Sequence, residues 1–168
     1  MKKVNPEYAR AIMEIANRGP YLKLLGMKIC ELDYGYCRVE TQLDTSLNNP
    51  FGSLHGGVFS SILDTATFWA LYCCIGENDG ITTLDLQVNN LAAINSGTII
   101  AEGRLIRMGR TIGLAEGTLK DENGRLLAQG TSKMFVLPGL QSIDKVVDKA
   151  GFATMPSRRP SGLRKTMS

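Results

Sequence analysis

Apolar residues recur at helical spacing in two stretches of the chain and at strand spacing in most of the rest. Over residues 6–17, Ala9, Ile12, Met13 and Ala16 fall on one stripe, which predicts an amphipathic helix. Asn5 is placed to cap it and Pro6 occupies its first position, where a missing N–H costs nothing. Gly19-Pro20 ends this helix. Residues 27–31 and 36–43 read as two strands around the Asp33-Tyr34-Gly35 turn, a hairpin, and residues 45–54, rich in Asn, Ser, Pro and Gly, read as a loop. From residue 56 to about 75 runs the longest helical pattern, with Phe59, Ile62, Leu63, Ala66, Ala70 and Cys73 on one face. Phe68, Trp69 and Leu71 make its other sides apolar too, which predicts burial on more than one side.

The remainder is β. Over residues 81–91, apolar Leu84, Leu86 and Val88 alternate with polar Thr83, Asp85, Gln87 and Asn89. Further strands are expected at 98–107, 111–120 and 125–137, giving a four-stranded meander after the long helix. A hairpin, one long helix and a meander predict an α+β layer fold in which a sheet covers a central helix. No internal repeat is visible. The pattern decays beyond Pro138, and residues 155–168 read as a flexible tail. The chain thus divides into one domain over 1–140, including the N-terminal helix, and an extension over 141–168 that is flexible and basic at its end.

With 168 residues the chain is long enough for a single well-cored domain and too short for two. The formal charge is +3, but five bases and no acid lie in the last 20 residues, leaving 14 bases against 16 acids before them. A slightly acidic body weighs against nucleic-acid binding. The apolar runs are too short and interrupted to span a membrane, and Met1-Lys2-Lys3 leads into a polar segment, so no signal peptide is expected and the expected location is cytoplasmic. Cys30, Cys37, Cys73 and Cys74 form no CxxC pair and are too few for a disulfide scaffold; with a single histidine, His55, no metal site is expected and the thiols are read as reduced and buried.

The stretch that carries chemistry runs from Asn48 through Leu54-His55-Gly56-Gly57 into the long helix. Glycines at a helix start expose N–H groups that lack an intrahelical partner at the positive end of the dipole, a setting for an anion or a developing oxyanion. The same Gly56-Gly57 pair would also serve simple close packing. Asp64 lies two turns inside a largely apolar helix, where an unpaired carboxylate is costly. It is either a solvent-facing or locally bonded residue (to Ser60, Ser61 or Thr67), half of an ordinary salt bridge, or a general base or nucleophile with a pKa raised by its surroundings. Eight residues separate Gly56 from Asp64, roughly 12 Å of helix at ~1.5 Å per residue. One carbonyl cannot touch both, so if both act on one substrate, a second chain supplies the Asp64.

The run Asn49-x5-His55-Gly56-Gly57-x6-Asp64 resembles the hotdog-fold acyl-CoA thioesterases of the phenylacetate-pathway (PaaI-like) type, over roughly residues 22–137. That resemblance implies a hotdog fold, a long central helix wrapped by an antiparallel β-sheet, and hydrolysis of a CoA thioester to free acid and CoA. It implies that the Gly56 N–H holds the thioester carbonyl oxygen, that Asn49 orients the carbonyl or the water, and that Asp64 of a partner subunit activates water or attacks directly. Thr83 matches a hydroxyl position near the nucleophile, with Thr82 one register away. His55 and Gly57 are implied in substrate binding and loop support, and Arg110, in the Arg107-Met108-Gly109-Arg110 turn, in meeting the phosphates of CoA, as an alternative to a solvated basic hairpin. Phe68, with Phe51, Phe59 and Trp69, suits an aromatic or medium-length acyl group if it is not simply core. No cofactor is implied, since coenzyme A is part of the substrate; the implied partner is a further copy of the chain, in a dimer or pair of dimers with sites at the interface. The alternatives are a hotdog acyl-CoA hydratase or dehydratase, which needs a His and an acid placed differently, and a non-catalytic acyl-CoA-binding module, which has no use for a buried carboxylate.

Overall fold

The structure, a computed structural model, describes residues 3–140, 155–158 and 160. Helix α1 spans Pro6–Asn17, and the Asn5 side chain caps it by accepting the Glu7 N–H at 3.0 Å. Its stripe is buried as expected, with Ile12 fully enclosed. Pro20 does more than end α1: it starts a short second helix, α2 (Pro20–Leu24), because proline's fixed φ suits a first turn. Asn17, the last residue of α1, exchanges two hydrogen bonds with the Ile29 backbone, its carboxamide acting as a piece of strand that docks α1 on the sheet.

Six strands follow: β1 (Met27–Asp33), β2 (Tyr36–Gln42), β3 (Asp79–Asn90), β4 (Thr98–Met108), β5 (Ile112–Asp121) and β6 (Leu126–Pro138). They form one antiparallel sheet in the order β1-β2-β4-β5-β6-β3. The expected four-stranded meander is therefore three-stranded. β3 leaves the helix for the far edge and pairs with β6, while β2 takes the place beside β4. Every strand presents one apolar face, so periodicity alone does not choose pairing partners.

Helix α3 (Gly56–Tyr72) ends three residues before the expected limit and lies across the sheet, with Ile62, Leu63, Ala66 and Ala70 completely buried. A row of glycines makes that approach possible. Gly103, Gly117 and Gly130 stand side by side on β4, β5 and β6. A Cβ on Gly103 would lie 2.2 Å from the Ala66 carbonyl oxygen, so the helix backbone itself rests on the strand there.

None of the four thiols is in a disulfide, but only Cys37 and Cys73 are buried; Cys30, at the register shift of β1, and Cys74, just past the C-cap of α3, are half-buried. The flexible-tail expectation for 155–168 fails over Met155–Arg158. Arg158 is 5 % exposed, its guanidinium donating to the Tyr8 hydroxyl and to the Ile75 and Gly76 carbonyls while lying over the Tyr8 and Tyr72 rings. Residues 141–154, 159 and 161–168 lie outside the described residues. No helix among the described residues is long and apolar enough to cross a membrane.

Candidate active site

Everything the motif singled out lies on or beside α3. Asn49 builds the approach: its Oδ1 accepts the N–H groups of Phe51 and Ser53, and its own N–H donates to the Ser53 carbonyl, closing a tight loop before the helix. The carboxamide oxygen is thus committed to the loop, and only the Nδ2 end is free to face a substrate. His55 is the N-cap of α3: Nδ1 accepts the Gly57 N–H at 2.9 Å, which places the ring proton on Nε2. With the Gly57 donor taken by His55 and the Val58 N–H by the His55 carbonyl, the Gly56 N–H is the donor left at the half-exposed helix start.

Asp64 is half-buried, and its carboxylate accepts one hydrogen bond, from the Thr83 hydroxyl at 2.9 Å. Ser61 and Thr67 bond to backbone carbonyls one turn back instead, and no cation pairs with Asp64 among the described residues. Burial raises the Asp64 pKa above the ordinary aspartate value, and the Thr83 hydrogen bond opposes that rise without cancelling it. Thr82 faces solvent. Thr83 shares the inward face of Ile81, and the register of β3 against β6 shifts only beyond it, between Thr83 and Asp85, so the strand changes phase there. Ile81 and Thr83 face the helix before the shift and Val88 packs on the core after it, while Leu84, expected inside, is 57 % exposed.

One and two turns beyond Asp64, Phe68, Trp69 and Tyr72 form an aromatic cluster with ring centroids 5.2 to 5.9 Å apart. Phe68 and Trp69 are half-buried, Phe59 is core, and Phe51 stands almost wholly in solvent. Arg110 is not brought to Gly56 within one chain. It sits in the β4–β5 hairpin, which packs against Leu71 at the other end of α3, and with Arg107, Thr111 and Ile112 it lines an open depression of about 340 Å³. No group of three or more His, Cys, Asp or Glu side chains among the described residues is arranged to hold a metal ion.

A residue not anticipated also reaches the helix start. Asn90, the last residue of β3, puts its Nδ2 2.9 Å from where a Cβ on Gly56 would stand. Only its place at the end of the strand that carries Thr83 hints at this in the sequence.

Known proteins share this architecture. Residues 51–128 match the family model described as the thioesterase superfamily. A Saccharolobus solfataricus protein provisionally named an esterase is 29% identical over 129 residues, 76% of this chain and 91% of its own. The 1,4-dihydroxy-2-naphthoyl-CoA hydrolase of Listeria monocytogenes is 26% identical over 103 residues, 61% of this chain and 84% of its own. Among solved structures, a thioesterase of Haemophilus influenzae superposes with a TM-score of 0.75 at 23% identity, covering 84% of this chain and 98% of that one. The PaaI protein of the Escherichia coli phenylacetic acid degradation operon superposes with a TM-score of 0.70 at 19% identity, covering 77% and 93%.

Proposed function

The chain belongs to the thioesterase superfamily, as a hotdog-fold protein of PaaI-like type, and on that premise we propose that it hydrolyses acyl-CoA thioesters in the cytoplasm, with Asp64 and the Gly56 N–H as its working groups. The observation that carries this reading is Asp64 itself: a carboxylate held half-buried without a paired cation among the described residues, oriented by one hydroxyl, and with its pKa raised. Such a group is costly to the fold and suited to taking a proton from water or attacking a carbonyl carbon. The Gly56 N–H meets the carbonyl oxygen at the positive end of α3, where developing negative charge is favoured.

The two groups belong to different subunits in this reading. Both lie on α3, eight residues and roughly 12 Å apart. β3 is an edge strand with Thr83 beside Asp64 and Asn90 beside Gly56. Antiparallel pairing of two β3 edges about an axis near Leu86 and Gln87 sets Thr83 of one subunit opposite Asn90 of the other, bringing Asp64 of the one to Gly56 of the other. The exposed Leu84 is then covered. The same pairing turns the end that carries Arg110 of one subunit toward the Gly56 end of its neighbour, where CoA phosphates would lie. The aromatic cluster at Phe68, one turn beyond Asp64, suits an aromatic acyl group, in keeping with the naphthoyl-CoA named for the Listeria relative. Asn49 offers its free Nδ2, and His55 acts by holding Gly57 and the helix start in place.

The test is a panel of aromatic, medium-chain and short-chain acyl-CoA esters with a thiol reagent reporting released CoA. We expect turnover on aromatic esters, a loss of at least about 100-fold in kcat for Asp64→Ala with acyl-CoA binding retained, and a dimer by analytical ultracentrifugation at assay concentrations. Equal rates for wild type and Asp64→Ala, or full activity from a monomer, would reject the respective part of the proposal.

A further inference from the structure

Asn90 is exposed at the end of β3, yet it is not loose: the strand register pairs it with Ala128, and the next two N–H groups, of Leu91 and Ala92, both donate to the Leu127 carbonyl. Its side-chain amide makes no hydrogen bond among the described residues and points at the start of α3. The contact is close: Nδ2 stands 2.9 Å from the position a Cβ on Gly56 would take, so a side chain there would have to push the Asn90 amide aside. Cβ and the backbone nitrogen of one residue are about 2.5 Å apart, which puts Nδ2 and the Gly56 nitrogen within about 5.5 Å. Two donors each about 3 Å from one oxygen can be up to about 6 Å apart, so one oxygen can accept from both.

We propose that the Asn90 amide is the second donor to the thioester carbonyl oxygen, beside the Gly56 N–H. This rests on the thioester-hydrolase reading. In that reaction water oxygen bonds to the carbonyl carbon as Asp64 takes a proton, and the C=O π pair moves onto the oxygen, where Gly56 and Asn90 hold it. The pair then returns, the C–S bond breaks with its electrons on sulfur, and the thiolate receives the proton from Asp64. A neutral amide suits the task because it offers N–H groups at every pH and needs no compensating charge. In the single chain the amide is exposed and so open to a substrate oxygen; its worth appears when substrate replaces water there.

Asn90→Ala and Asn90→Asp are compared with wild type on the best ester of the panel, using the full chain. Removing one oxyanion donor typically lowers kcat about 100-fold. Asn90→Ala is expected to fall by about that factor with KM within about threefold and an unchanged melting temperature, since the side chain makes no hydrogen bond among the described residues. Asn90→Asp, of equal shape but with only acceptors, is expected to fall further, while its charge at the start of α3 favours folding. A folded Asn90→Asp enzyme with wild-type kcat overturns the assignment, as does Asn90→Ala with kcat within threefold of wild type. A wild type that releases no thiol from any ester removes the thioesterase reading, and this assignment with it.

Discussion

Asp64, the carboxylate proposed to do the chemistry, is also a burden to the fold. Its raised pKa means that the folded chain holds the proton more tightly than the unfolded chain does. The associated stability is fully present below the unfolded value and is lost as pH rises through the folded one. At neutral pH the charged form therefore works against folding. Asp64→Asn should raise the melting temperature at pH 7.5 while abolishing turnover, and thermal melts repeated toward pH 4 should show the gap closing as wild-type Asp64 takes up its proton. Thr83 acts in the opposite sense, since its hydroxyl holds the Asp64 pKa down. Thr83→Val should move the acid limb of kcat/KM to higher pH, whereas Thr82→Val, altering a solvent-facing side chain, should leave that limb in place. The sequence offered both threonines, and Thr83 was preferred by resemblance; simple alternation along the strand pointed it outward. The bulge that changes the strand's phase just after Thr83, leaving it on the inward face of Ile81, has no local signature in the run Thr82-Thr83-Leu84-Asp85.

The elements themselves were largely legible. α1 and its Asn5 cap follow from spacing and proline placement, α3 from its apolar face, and the strands from alternation bounded by turns. What periodicity could not express is how closely elements meet. The glycines of β4, β5 and β6 read as weak points in strands, and their meaning emerges only when they align beneath α3. Gly103→Ala should be severe, because the new Cβ meets the Ala66 carbonyl, a helix backbone atom that can yield only if α3 shifts. Gly117→Ala meets the end of the Leu63 side chain, which can rotate away. Urea unfolding should show a loss of roughly 3 kcal/mol or more for Gly103→Ala, against a smaller loss for Gly117→Ala.

At the scale of the whole molecule, the residue that most changes the picture drawn from charge is Arg158. Counted with a basic tail, it is instead a buried clasp: its backbone N–H and the Ser157 hydroxyl bond Glu77, its carbonyl accepts the Asn5 N–H, and its fork joins α1 to the turn after α3. Arg158→Ala would leave the Ile75 and Gly76 carbonyls and the Tyr8 hydroxyl without that donor, at a cost of about 1–3 kcal/mol or more. Arg158→Lys should not restore it, since a single ammonium cannot span the same acceptors. Urea midpoints test this, with activity per folded molecule expected to stay constant because the clasp touches neither Asp64 nor Gly56. By itself the sequence determined the fold class, the two main helices, the strand count and the Asn-His-Gly-Gly-Asp motif, because these are written in local spacing and residue chemistry. The tertiary structure decided the strand order, the inward placing of Thr83, the place of Asn90 against Gly56 and the burial of Arg158. Each of these joins residues distant in the chain through contacts that leave no periodic trace in the sequence.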